Sequence, residues 1–164
     1  MNFKRVAVVG ALVALSTGAM ANDVINNIAL SNGTIPFGAL HTDSDPFTDT
    51  FNFINVAGLV SASGSLITIG FTAEQNIDFS SATLNGIPLT LSPNGPFETA
   101  YTAAPLNLTG PLTLVVMGTT GAGAAGFSSY SGTVNVTAVP EPETYALMLA
   151  GLGAIGFMAR RRKS

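Results

Sequence analysis

The sequence predicts an all-β protein: one antiparallel β-sandwich, jelly-roll-like, between an N-terminal signal helix and a C-terminal transmembrane helix. Three observations carry this. Short runs rich in Val, Ile, Thr and Phe recur along residues 22–138, separated by Gly, Pro and Asn clusters at the spacing of strands and turns. No stretch between the termini repeats its apolar residues at the helical period. All six basic residues, Lys4, Arg5, Arg160, Arg161, Arg162 and Lys163, flank the two terminal apolar runs, leaving no Lys or Arg from Asn22 to Val139.

Residues 1–21 form the first unit. Lys4 and Arg5 open it, Val6 to Leu15 supplies an apolar stretch, and Ala19-Met20-Ala21 matches the small-residue pattern of a signal-peptide cleavage site, which places the cut before Asn22. A permanent membrane helix needs about 20 apolar residues, and Ser16, Thr17 and Gly18 interrupt this run too early. Positive charge gathers on cytoplasmic flanks, so basic residues at both ends put both ends inside and the middle outside.

Residues 22–138 form one domain, long enough for a single core and free of cysteine, so packing alone must hold it. Strands are expected at Val24 to Leu30, Thr48 to Val56, Gly58 to Thr72, Asn76 to Leu84, Ile87 to Leu91, Phe97 to Thr102, Leu112 to Met117 and Ser129 to Ala138. Ser63-Gly64-Ser65 is read as a bulge or bend in the third run. Asn85-Gly86 is the best hairpin signal, because a type I′ turn needs two residues tolerant of positive φ.

Composition excludes several kinds of chemistry. The charged residues of the domain are Asp23, Asp43, Asp45, Asp49, Glu74, Asp78 and Glu98, with His41 as the one possible counter-ion. Without cations to neutralise phosphates, nucleic-acid binding is ruled out. Two glycine runs, Gly121 to Gly126 and Gly151 to Gly156, imitate a dinucleotide fingerprint but belong to no βαβ unit. Nucleophilic catalysis has no cysteine and a single histidine, and no G-x-S-x-G elbow is present. The expectation is therefore a non-enzymatic protein without a cofactor. Tyr101 and Tyr130 are expected to pack in the core with their hydroxyls at its rim.

The C-terminal unit spans residues 139–164. Pro140-Glu141-Pro142 is expected to be an extended, accessible joint, because two prolines in three residues disfavour both helix and central strand. A transmembrane helix over 144–159 follows, then a basic tail, Arg160, Arg161, Arg162 and Lys163. That helix is about 24 Å long against a hydrocarbon core of roughly 30 Å. Insertion then relies on Tyr145 at one interface and snorkelling arginines at the other.

Pro-Glu-Pro, a short apolar helix and a terminal basic cluster, paired with a signal peptide, resemble the PEP-CTERM sorting signal of Gram-negative bacteria. The resemblance implies an exosortase as partner, the inner membrane as transient anchor, and cutting near Pro140 to Pro142 that delivers the domain to the envelope surface or beyond. An ordinary uncut anchor would share this topology. Phe47-Thr48-Asp49-Thr50-Phe51 also resembles the FxDxF motif of one PEP-CTERM group, for which no enzymatic activity is implied. The implied role is structural or adhesive, linked to exopolysaccharide or biofilm. The alternative is a module binding Ca²⁺ or neutral glycan.

The FxDxF residues pose a physical problem. On a strand Phe47, Asp49, Phe51 and Phe53 share a face, so burying the rings pulls Asp49 inward. Its compensation must come from backbone N–H groups, Ser or Thr hydroxyls, His41 or a bound cation. Asp43, Asp45 and Asp49 lie within seven residues and make a Ca²⁺ candidate, although Pro46 and Phe47 break the EF-hand pattern. A solvated acidic turn, with Asp49 tying a loop near the rim of the sheet, is the competing reading.

Overall fold

The computed structural model describes residues 23–30, 33–56, 58–121, 126–140 and 142–161. Among these, eleven strands and a single 3-10 turn (Ala73–Gln75) precede one α-helix: β1 (Ile25–Ala29), β2 (Gly33–His41), β3 (Phe47–Ile54), β4 (Leu59–Ile69), β5 (Ile77–Leu84), β6 (Ile87–Pro88), β7 (Thr90–Leu91), β8 (Phe97–Tyr101), β9 (Leu106–Thr109), β10 (Leu112–Thr120), β11 (Ser128–Ala138) and α1 (Pro142–Arg161). Five strands form one sheet in the order β1-β3-β10-β5-β6. The other runs β2-β11-β4-β8-β7, with β9 beside β4. The expected signal peptide, including Ala19 and Ala21, lies outside the described residues.

The strands form where burial alternates. Phe47, Asp49, Phe51 and Phe53 of β3 are buried while Thr48, Thr50 and Asn52 are not, and β4, β10 and β11 show the same period of two. The two inner faces meet through aromatic rings: Phe37 of β2 lies 4.9 Å from Phe51 of β3, and Tyr130 of β11 stands edge-on to Phe79 of β5 at 5.5 Å. Leu66, Leu84, Leu112, Leu114, Val116 and Val134 fill the space around them. This is sheet-on-sheet packing around one core.

Several expectations need correction. Pairing is antiparallel except at one edge, where β1 runs parallel to β3 with Ile25 opposite Thr50, which departs from an all-antiparallel jelly roll. Strand β2 was not among the expected strands. Its Pro36 is tolerated because β2 is an edge, paired only with β11, where the missing N–H faces no neighbour. Strand β9 is short and was also missed. Strand β4 passes through Gly64 unbroken. The bulge lies instead in the β10–β5 ladder, where the register shifts between Met117 and Gly118. The Asn85-Gly86 turn forms as expected, with φ of 50° and 77°.

The C-terminal unit differs more. Pro142 is the first residue of α1 rather than part of an extended joint, since a proline at the first helical position lacks only an N–H that would be unpaired anyway. The helix has 20 residues, yet no helix among the described residues is long and apolar enough to cross a membrane. Pro142, Glu143, Thr144 and Tyr145 at one end and Arg160 and Arg161 at the other leave an apolar stretch of about 21 Å between them. The expected transmembrane helix over 144–159 is therefore not supported by its hydropathy.

Gly132 fixes how closely β11 approaches its neighbours: a Cβ there would collide with the Ser65 carbonyl oxygen and the Phe37 ring. Gly132→Ala is expected to destabilise the fold by about 1–3 kcal/mol. Gly95→Ala, where nothing lies within 4 Å, should stay within roughly 0.5 kcal/mol. Urea unfolding followed by circular dichroism checks both.

Candidate functional site

Asp49 is fully buried. Its Oδ1 accepts a 2.8 Å hydrogen bond from the Val24 N–H, and its Oδ2 accepts one from the Tyr130 hydroxyl at 2.5 Å. His41 Nε2 lies 3.0 Å from the same Oδ2. Since a carboxylate only accepts, His41 donates through Nε2. The His41 ring stacks on Phe47 at 4.1 Å. His41 Nδ1 and the hydroxyl of Ser128, its partner across the β2–β11 ladder, are buried without hydrogen-bond partners among the described residues.

The buried carboxylate of the FxDxF strand is thus satisfied by the Val24 N–H, the Tyr130 hydroxyl and His41. His41 was among the expected compensating groups; Tyr130 was missed. Its spacing resembled that of a core anchor, and only the pairing of β11 across the core from β3 brings its hydroxyl inward. Burial, and then the hydrogen bond and charge of Asp49, hold this hydroxyl far above its ordinary value of 10.0.

The Ca²⁺ candidates do not converge. Asp49 is committed to the core, Asp45 is exposed, and Asp43 accepts a 3.3 Å bond from the Asp45 N–H in a local turn. No group of three metal-ligating His, Cys, Asp or Glu residues occurs among the described residues.

Glu98 is a second buried carboxyl. Its oxygens accept the N–H groups of Phe79 and Gly95, each at 2.9 Å. Its pKa is raised above 4.5 by burial, against the pull of those two N–H groups, and Asp78 beside it adds to the rise. The exposed face of the six-stranded sheet is different in kind. Its strands carry two titratable groups besides tyrosine, His41 and Glu98, and both point into the core. An open cleft of about 600 Å³ crosses that face.

At the other end of the chain, the Val139 N–H bonds to the Leu59 carbonyl oxygen at 2.9 Å, extending the β11–β4 ladder by one residue. Pro140 is exposed and α1 begins at Pro142. Folded sheet and helix are therefore separated by a very short joint. Glu141, Arg162 and Lys163 lie outside the described residues, while Arg160 and Arg161 close α1.

The β-sandwich is thus followed by a proline-bounded joint, a 20-residue helix and, in the sequence, a basic cluster. The family model described as the PEP-CTERM protein-sorting motif matches residues 138–163. The motif indicates an exported protein sorted by an exosortase and implies a membrane-anchored precursor. Comparison with curated proteins finds no match. Among solved structures, PliG of Aeromonas hydrophila, a periplasmic lysozyme inhibitor of g-type lysozyme, is similar at 12% identity and a TM-score of 0.33, over 70% of this chain and 99% of that one. That likeness is too slight to assign a fold.

Asp49→Ala leaves three donors without an acceptor and is expected to destabilise the protein by about 3–5 kcal/mol in urea titrations. Asp45→Ala should change stability by less than roughly 0.5 kcal/mol. Tyr130 also predicts an alkaline effect. The unfolded chain releases this proton near pH 10 and the folded chain keeps it, so its contribution is intact below pH 10 and lost above. Tyr130→Phe should flatten the fall in stability above pH 10 by up to about 1.4 kcal/mol per pH unit.

Proposed function

We infer that this protein is a non-enzymatic component of the cell surface or extracellular matrix, structural or adhesive in role and associated with exopolysaccharide. An exosortase cuts it near Pro140 to Pro142, and the inner membrane anchors the precursor only transiently. The single observation that carries the reading is the sorting motif at residues 138–163, joined to a domain with no Lys or Arg between Asn22 and Val139. The residues Phe47, Asp49 and Phe51 support placing it in the FxDxF group of PEP-CTERM proteins. Its residues serve the core: Phe47 and Phe51 flank Asp49, whose donors are drawn from three other segments.

Two features support the order of events. The last backbone bond of the sheet is made by Val139, so a cut at Pro140 or later leaves the sandwich whole. The exposed helix α1 contributes no residue to the buried core and can be lost without opening it.

A second reading, a module that binds neutral glycan, is favoured by the uncharged cleft on the six-stranded sheet. The Ca²⁺ version of that reading has less support, because Asp43, Asp45 and Asp49 do not meet.

The test is the mass of the mature C-terminus, measured on tagged protein expressed with and without a functional exosortase. Processing predicts surface material that ends near Pro140 to Pro142 in the first strain and full-length membrane-bound protein in the second. Surface protein that retains Arg160 to Lys163 would refute it.

A further inference from the structure

We propose that the cleft on the exposed face of the six-stranded sheet binds a short neutral oligosaccharide. This deepens the neutral-glycan reading above, on which it rests, and gives that reading a place.

The cleft is built by register. Pro36, Thr133, Ser65 and Tyr101 are successive partners across β2, β11, β4 and β8; Gly38, Ser131, Ile67 and Thr99 form the next row. Each row spans three strand spacings, about 14 Å. In the first row the short side chains of Thr133 and Ser65 lie between the ring of Pro36 and the ring of Tyr101, and Gly38 adds none to the second. The resulting trough, about 600 Å³, falls within the roughly 300–1,000 Å³ of small-molecule sites.

Its chemistry matches a pyranose, which presents C–H groups on its faces and hydroxyls around its edge. Tyr101 is 47% exposed, and with Ile67 it offers an apolar platform. The hydroxyls of Ser65, Thr99, Ser131 and Thr133 each supply one donor and two acceptors, and Ser65 Oγ and Thr133 Oγ1 lie 3.5 Å apart as a pair. No carboxylate, amine or imidazole lines the cleft. A cationic ligand would find no counter-charge there. An anionic sugar would meet a domain that carries seven carboxyl groups and no Lys or Arg.

Two other occupants fit less well. A second copy stacked face to face about a two-fold axis would set cleft over cleft and trap a void, whereas protein interfaces of this kind are close-packed. An acyl chain would strip water from four hydroxyls and return no hydrogen bonds.

The test is calorimetric titration of the full chain, held in a detergent without a sugar headgroup, with cellotriose, maltotriose and mannotriose, and with trigalacturonate as the anionic control. Saturable binding of at least one neutral trisaccharide is expected, with none of trigalacturonate. Tyr101→Ala, and separately the pair Ser65→Val and Thr133→Val, should weaken it about tenfold while melting temperature stays the same. A neutral trisaccharide bound equally by wild type and both variants would overturn the cleft and leave the glycan reading standing. Failure of all three neutral sugars to bind wild type overturns both. Concentration-dependent dimerisation abolished by Tyr101→Ala would assign the face to a second copy instead.

Discussion

A carboxylate with no solvent exposure, in a domain with no Lys or Arg, has to draw its hydrogen bonds from other donors, and the arrangement of this sandwich follows from where those donors come from. Asp49 on β3 draws on the Val24 N–H just before β1, on His41 at the end of β2 and on Tyr130 in β11. Val24 brings β1 alongside β3 in the one parallel pairing of the fold, reinforced by Thr48 N–H donating to Asp23 Oδ1 at 2.7 Å. His41 and Tyr130 belong to the opposite sheet, so the same side chain also spans the core. Glu98 repeats the device on a smaller scale, crossing from β8 to the Phe79 N–H of β5. Low dielectric makes such bonds strong when complete and leaves any missing partner expensive.

The placement of charge follows a second constraint. All seven acidic residues of the domain sit towards the end of the sandwich where β11 begins: Asp49 opposite Val116, Asp78 opposite Thr119, Glu98 opposite Thr68, and Asp23, Asp43, Asp45 and Glu74 in the segments around them. Strand β11 then runs about 33 Å to Val139 at the other end, where the sorting tail departs. The acidic pole thus lies at the opposite end of the sandwich from the sorting tail. The uncharged sheet face lies along the flank between the two poles.

Much of this was legible from residue order. The strands from β3 to β5 and β8, β10 and β11 follow from alternation and turn residues, and Asn85-Gly86 specifies its hairpin because both positions need positive φ. The sorting tail is readable because its parts are contiguous. What the sequence hid was non-local. Strand β2 carries Pro36, and a strand with a proline is allowed only at an edge, which depends on its neighbours. Gly118 gives no local sign that β10 carries a bulge. Tyr130 is separated from Asp49 by 81 residues, and no spacing rule links them. Pro142 looked like a helix breaker and proved to be a helix start, a difference set only by what precedes it.

By itself, then, the order of residues determined the β character of the middle, its freedom from cations, the inward face of the FxDxF strand and the sorting signal at residues 138–163, because each is written in adjacent side chains. Tertiary structure alone decided which groups neutralise Asp49, that Asp43 and Asp45 stand apart from it, and that four neighbouring strands align short polar side chains into a cleft. These depend on register between strands far apart in the chain, and register is settled only when two sheets close over a common core.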